Sequence, residues 1–163
     1  MENITVEKPK PSDLTKIRRI LAQWTDETEV DKYAKRIENE IAGKVEFNAH
    51  YWLAKESGVP MGISGLSDPL PKIVSMARTD RPGELRILYV DAKRNGRGIG
   101  KKLVEFLEGE ARKEGYTEIM ARSAERYRDT AYDFYEKMGY NKVGTVYAGE
   151  NRSKPMQVFR KEL

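Results

Sequence analysis

The chain of 163 residues has no cysteine and a single histidine. Without cysteine there is no disulfide, no thiolate metal site and no cysteine nucleophile. One histidine rules out a histidine-rich metal site and makes a Ser-His-Asp triad a poor fit; no metal is expected. Long apolar runs are missing too. Stretches such as Ile87-Leu88-Tyr89-Val90 are four residues long, where a membrane span needs about 20, so no membrane partner is expected. Met1 to Pro11 mixes acids with bases and has no apolar segment, unlike a signal peptide. Together these absences lead to an expectation of a cytoplasmic protein. Charge of one sign is also scarce. Lys plus Arg is 30 and Asp plus Glu is 26, a net charge of +4, which favours an anionic partner only weakly.

What is present suits one domain, residues 1–163, with a core of its own: 39% of residues are hydrophobic and nine are tyrosine. Ile4 to Lys8 alternates as a strand. Pro11-Ser12-Asp13 signals a helix start, and Leu14, Ile17, Ile20, Leu21 and Trp24 follow with helical spacing. A second helix is predicted from about Asp31 to Ala42, ended by Gly43. Tyr51 to Glu56 and Met61 to Ser67 flank a hairpin signal at Ser57-Gly58-Val59-Pro60, and Lys72 to Arg78 extends this meander. Glu84 to Asp91 is a strand. A basic, glycine-rich turn follows, then a helix with Ile99, Leu103, Phe106 and Leu107 on one face. Thr117 to Ser123 is a strand. Asp129 caps a short helix bearing Phe134 and Tyr135, Gly139 ends it, and two strands close the chain. The order β-α-α-β-β-β-α-β-α-β-β predicts an α/β fold of the α+β type: a mixed, mostly antiparallel, twisted sheet flanked by helices, with one parallel crossover.

The turn Asn95-Gly96-Arg97-Gly98-Ile99-Gly100 joins a strand to a helix. Helix-start N–H groups make an anion site, glycine lets the backbone approach a phosphate, and Arg97, Lys101 and Lys102 add charge. A Walker loop fails at both ends, with Asn95 at its first glycine and Lys102 at its hydroxyl position. A dinucleotide fingerprint fails on the spacing of Gly98 and Gly100. A plain turn would use the same glycines. The five basic residues Lys93, Arg94, Arg97, Lys101 and Lys102, without interleaved stacking aromatics, suit a small phosphorylated ligand better than nucleic acid.

The run from Leu85 to Val90, followed by Asn95 to Leu103, resembles the acetyl-CoA loop of the GNAT acyltransferase superfamily. Its signature is Gln/Arg-x-x-Gly-x-Gly/Ala. Gly98 and Gly100 match it; Asn95 departs from it. Ala131 to Tyr140 resembles the family's Phe-Tyr-Glu-Lys-x-Gly-Phe segment, with Arg128 where many members carry Asn. The resemblance implies an N-acetyltransferase that moves an acetyl group from acetyl-CoA, as co-substrate, to a primary amine on a small molecule or peptide, by direct attack in a ternary complex. It implies that Asn95, Gly96, Arg97, Gly98, Ile99, Gly100, Lys101, Lys102 and Arg128 attend the cofactor's phosphates. Leu88, Tyr89 and Val90 would lie along its pantetheine arm, with the Leu88 N–H on the thioester oxygen. Tyr135 would face the leaving sulfur. Glu84, eleven residues before Asn95, has the spacing of the glutamate base of histone acetyltransferases in this superfamily and would act through a water. Two other readings stay open: a non-catalytic acyl-CoA sensor of the same fold, and a nucleic-acid-binding domain. A homodimer is compatible with all three. The acids Asp26, Glu27, Glu29 and Asp31 suggest a cationic acceptor, against the plainer use of acids at a helix start.

Overall fold

The computed structural model describes residues 3–94, 96–148 and 154–163. Seven strands form one sheet in the order β1-β2-β3-β4-β5-β7-β6: β1 Ile4–Glu7, β2 His50–Glu56, β3 Val59–Ser67, β4 Pro82–Val90, β5 Glu118–Ala124, β6 Asn141–Ala148 and β7 Lys154–Glu162. Among the described residues, five helices interrupt them: α1 Leu14–Ala22, α2 Glu27–Ile41, the single turn α3 Pro71–Val74, α4 Ile99–Glu114 and α5 Ala131–Lys137. The β4–β5 ladder is parallel; the β1–β2, β2–β3, β5–β7 and β6–β7 ladders are antiparallel. The expected element order and mixed sheet are present. Contacts divide the chain into two compact units, Met1–Ser67 with Ile87–Leu107, and Asp68–Arg86 with Glu108–Leu163.

In the first unit, Asp26 ends the α1–α2 turn by accepting the Glu29 N–H at 2.9 Å, so α2 begins at Glu27 and not at Asp31. A capping acid fixes a helix start more firmly than the apolar pattern that reveals it. Ile17, Ile20 and Leu21 of α1, with Val30, Tyr33 and Ile37 of α2, bury one stripe each against Tyr51, Leu53, Ile63 and Ile87. On the opposite side of the strands, Ala54 and Met61 meet Ile99 and Leu103 of α4. This two-sided burial follows from the period of two along a strand. The β2–β3 hairpin turns through Ser57 and Gly58, both at positive φ (50° and 80°), a pair that matches the twist of antiparallel strands.

In the second unit, Lys72 to Arg78 is not a strand. Pro71 starts α3, where its fixed φ suits a first helical turn, and turns closed by Met76 and Ala77 follow. Ile73 packs with Met120, Val146 and Val158. Asp129 does not cap α5. Thr130 holds that position, and its hydroxyl donates instead to the Tyr127 carbonyl at 3.2 Å. Tyr132, Tyr135, Tyr140 and Phe159 form an aromatic cluster with ring centroids 5.1–5.7 Å apart, spacing that favours edge-on and offset contacts.

Candidate active site

The glycine-rich turn lies in the first unit, after a short 3-10 turn at Ala92–Arg94. Gly96 and Gly98 both adopt left-handed backbone (φ 82° and 79°), and a Cβ at either would meet nothing within 4 Å. Glycine is therefore required by backbone conformation and not by crowding. The first bond of α4 runs from the Lys102 N–H to the Gly98 carbonyl at 3.0 Å. The N–H groups of Ile99, Gly100 and Lys101 precede it, and so have no acceptor within the helix. Ile99 is buried and fixes the helix start, while Lys101 and Lys102 are exposed. Lys102 Nζ donates to the Ile4 carbonyl at 2.8 Å. Arg97 reaches Glu56 at 2.6 Å, and Arg94 lies 3.7 Å from the same carboxylate. Asn95 lies outside the described residues.

Upstream, β4 continues to Val90, although its parallel ladder with β5 comprises only the pairs from Pro82↔Glu118 to Leu85↔Ala121. Leu88, Tyr89 and Val90 are half-buried. The Trp24 indole N–H donates to the Val90 carbonyl at 2.8 Å, a contact that apolar spacing does not reveal.

In the second unit, Glu84 has no exposed surface. Its Oε1 accepts the Leu70 N–H at 2.9 Å and, more weakly, Arg86 Nη1 at 3.4 Å; its Oε2 accepts Arg122 Nε at 2.7 Å. This is the setting of a fixed countercharge. Sequence spacing located the residue but not its three donors, which come from two other segments and from the next residue on its own face of β4. Glu118 is a second buried carboxylate, taken up by Arg160, Thr79 and the Arg78 N–H. Nothing in the sequence singled it out.

Tyr135 is 5% exposed, and its hydroxyl takes part in none of the hydrogen bonds among the described residues. Burial pushes its phenol well above the usual value. Arg128 is exposed and pairs with Glu125 at 3.4 Å. Three of the four acids near α2 have local partners: Asp26 caps the helix, Asp31 pairs with Arg18, and Glu29 lies 3.5 Å from Lys32.

The family model for the GNAT acetyltransferases matches residues 14–140. The chain belongs to the GNAT acetyltransferase family. No curated protein matches it. Solved structures do. A GNAT-family protein from Desulfovibrio desulfuricans has a TM-score of 0.82 at 18% identity, covering 98% of this chain and 99% of its own. An N-acetyltransferase from Staphylococcus aureus gives 0.73 at 18%, covering 98% of both chains. The PaiA N-acetyltransferase from Thermoplasma acidophilum, solved with coenzyme A, gives 0.67 at 16%, covering 99% of both. At these identities the likeness establishes a GNAT fold. The turn of this GNAT chain fits a diphosphate: it has two left-handed glycines with open space beside them, unbonded helix-start amides, and arginines close by.

Proposed function

We propose that this GNAT protein transfers an acetyl group from acetyl-CoA to a primary amine by direct attack in a ternary complex. The observation that carries this reading is the left-handed Gly96–Gly98 turn leading into the first amides of α4. There the N–H groups of Ile99, Gly100 and Lys101, which precede the first helical bond, would receive the diphosphate. Leu88 to Val90 would line the pantetheine arm, and the Leu88 N–H would polarise the thioester oxygen. One such donor is worth about 10²–10³ in rate.

The amine must lose its proton before it attacks. For a lysine-like amine at neutral pH this costs about 4.6 kcal/mol, and for an α-amine near pKa 7.8 about 1 kcal/mol. Glu84 is buried and held by three donors, so in this reading it holds its place and the proton leaves through solvent. The amine nitrogen forms the C–N bond and gives up its second proton to solvent, the C–S bond breaks, and the sulfur leaves as thiolate. Tyr135 then donates a hydrogen bond to that sulfur. A thiol titrates near 8.5 and burial keeps the phenol protonated far above that, so Tyr135 shares its proton without giving it up. Arg128, exposed just after the 3-10 turn Glu125–Tyr127, would reach the phosphates only as a screened charge.

The test is an amine panel of polyamines, amino acids, aminoglycosides and peptides with acetyl-CoA, followed by free thiol release, with coenzyme A titrated in a calorimeter. Heat on titration and thiol release that depends on an amine are expected. Heat without release from any amine would favour the sensor reading; no heat would end both.

A further inference from the structure

We infer that Glu56, at the end of β2, is an internal counterion that competes with the cofactor's diphosphate for Arg97, and so sets how tightly coenzyme A is held and how fast it leaves. This rests on the acetyl-transfer reading above and adds a control of cofactor release to the same site. Glu56, Arg94 and Arg97 all lie in the first unit.

Glu56 is the last residue of β2, ahead of the left-handed Ser57-Gly58 turn. Its backbone is registered on both sides, against Ile4 of β1 and Val59 of β3. The carboxylate is therefore delivered to the glycine turn from a fixed strand. There its Oε2 accepts Arg97 Nη2 at 2.6 Å, and its Oε1 lies 3.7 Å from Arg94 Nη1. The side chains of Glu56, Arg97 and Arg94 are 14%, 29% and 39% exposed, so water screens these charges only in part. The turn does not depend on this pair alone for its place: Ile99 is buried, and Lys102 Nζ ties α4 to the Ile4 carbonyl.

A carboxylate is out of place beside an anion site. The helix-start amides and the two arginines attract a diphosphate. Glu56 repels it and already occupies the guanidinium fork that phosphate oxygens match. Two arginines against one carboxylate leave a surplus of one positive charge, so the site still favours an anion. The long Arg97 side chain can swing its fork to the diphosphate, whereas Glu56 stays with its paired strand. Binding then exchanges one oxyanion partner of Arg97 for another, and the affinity is the difference between them. On departure the carboxylate takes the guanidinium back. Were the pair only a strut, removing the carboxylate would loosen the turn and weaken binding; competition predicts the opposite sign.

The test measures coenzyme A affinity by calorimetry and its dissociation rate by stopped flow in the wild type, Glu56→Gln and Glu56→Asp, with thermal melts to confirm folding. Glu56→Gln should bind about tenfold tighter, the return of one charge-assisted hydrogen bond to the ligand, mainly through slower dissociation. Glu56→Asp, which keeps the charge at shorter reach, should fall between. Coenzyme A lacking its 3′-phosphate should gain as much, since its diphosphate is intact. Equal or weaker binding by folded Glu56→Gln, or a gain that vanishes with the 3′-phosphate, would overturn the inference. Glu56→Thr carries the same comparisons should the glutamine variant not fold. None of these readouts needs turnover. A wild type that acetylates no amine ends the transfer reading alone, while the affinity of Glu56→Gln still decides this one; no binding by any form overturns both.

Discussion

Two side chains carry most of the chemistry expected of single residues, and burial treats them differently. Tyr135 has a hydroxyl outside the hydrogen bonds among the described residues and a phenol held protonated by its surroundings. Removing that oxygen in Tyr135→Phe should lower kcat by about 10²-fold and leave coenzyme A affinity as it was, measured by thiol release and calorimetry. In the wild type, no loss of rate from this phenol should appear near pH 10. An unchanged kcat in the variant would remove Tyr135 from the mechanism. Glu84 is the opposite case. Its carboxylate is buried between two guanidinium groups, so Glu84→Gln should unfold at lower denaturant, by about 3–5 kcal/mol, because Arg86 and Arg122 lose their buried countercharge. The acidic limb of kcat/KM should stay where it was; a limb that shifts or disappears would restore Glu84 as the base.

At the level of elements, the turn before α4 makes the clearest demand. Gly98 has positive φ and open space beside it. Gly98→Glu should therefore cost only about 1–2 kcal/mol in stability, from left-handed strain, yet abolish coenzyme A binding by placing a carboxylate against the diphosphate. Calorimetry and thermal melts separate the two effects, and binding that persists would refute the assigned site. This turn was legible in the sequence because glycine spacing encodes backbone conformation directly. The strands and longer helices were legible because burial repeats with their periods. Less was legible where a polar contact decides. Asp26 set the start of α2, Thr130 displaced Asp129 at α5, and Pro71 turned an expected strand into α3. The partners of Glu84 were hidden for the same reason: Leu70 and Arg122 are distant in sequence, and only the folded sheet brings them to it.

Across the whole molecule, the buried carboxylate of Glu118 makes stability depend on acid. Burial opposes ionisation of Glu118, but the hydrogen bonds from Arg160 and from the hydroxyl and amide of Thr79 outweigh it, so its carboxyl lies below the usual range. A group depressed on folding stabilises above its unfolded pKa of about 4.3. That contribution fades as pH falls through the lower folded value. Denaturant midpoints should thus hold from neutral pH to about 5 and drop below about 4. Glu118→Gln should be less stable at pH 7 and show a shallower acid decline; an equally steep decline would locate the sensitivity elsewhere.

The chain contains two tryptophans, and one of them is tied by its ring nitrogen to the last carbonyl of β4, just ahead of the glycine turn. That bond makes Trp24 a built-in optical probe. With Trp52→Phe silencing the other indole, emission from the remaining ring should change colour or intensity as coenzyme A settles, giving an affinity without any label and without turnover.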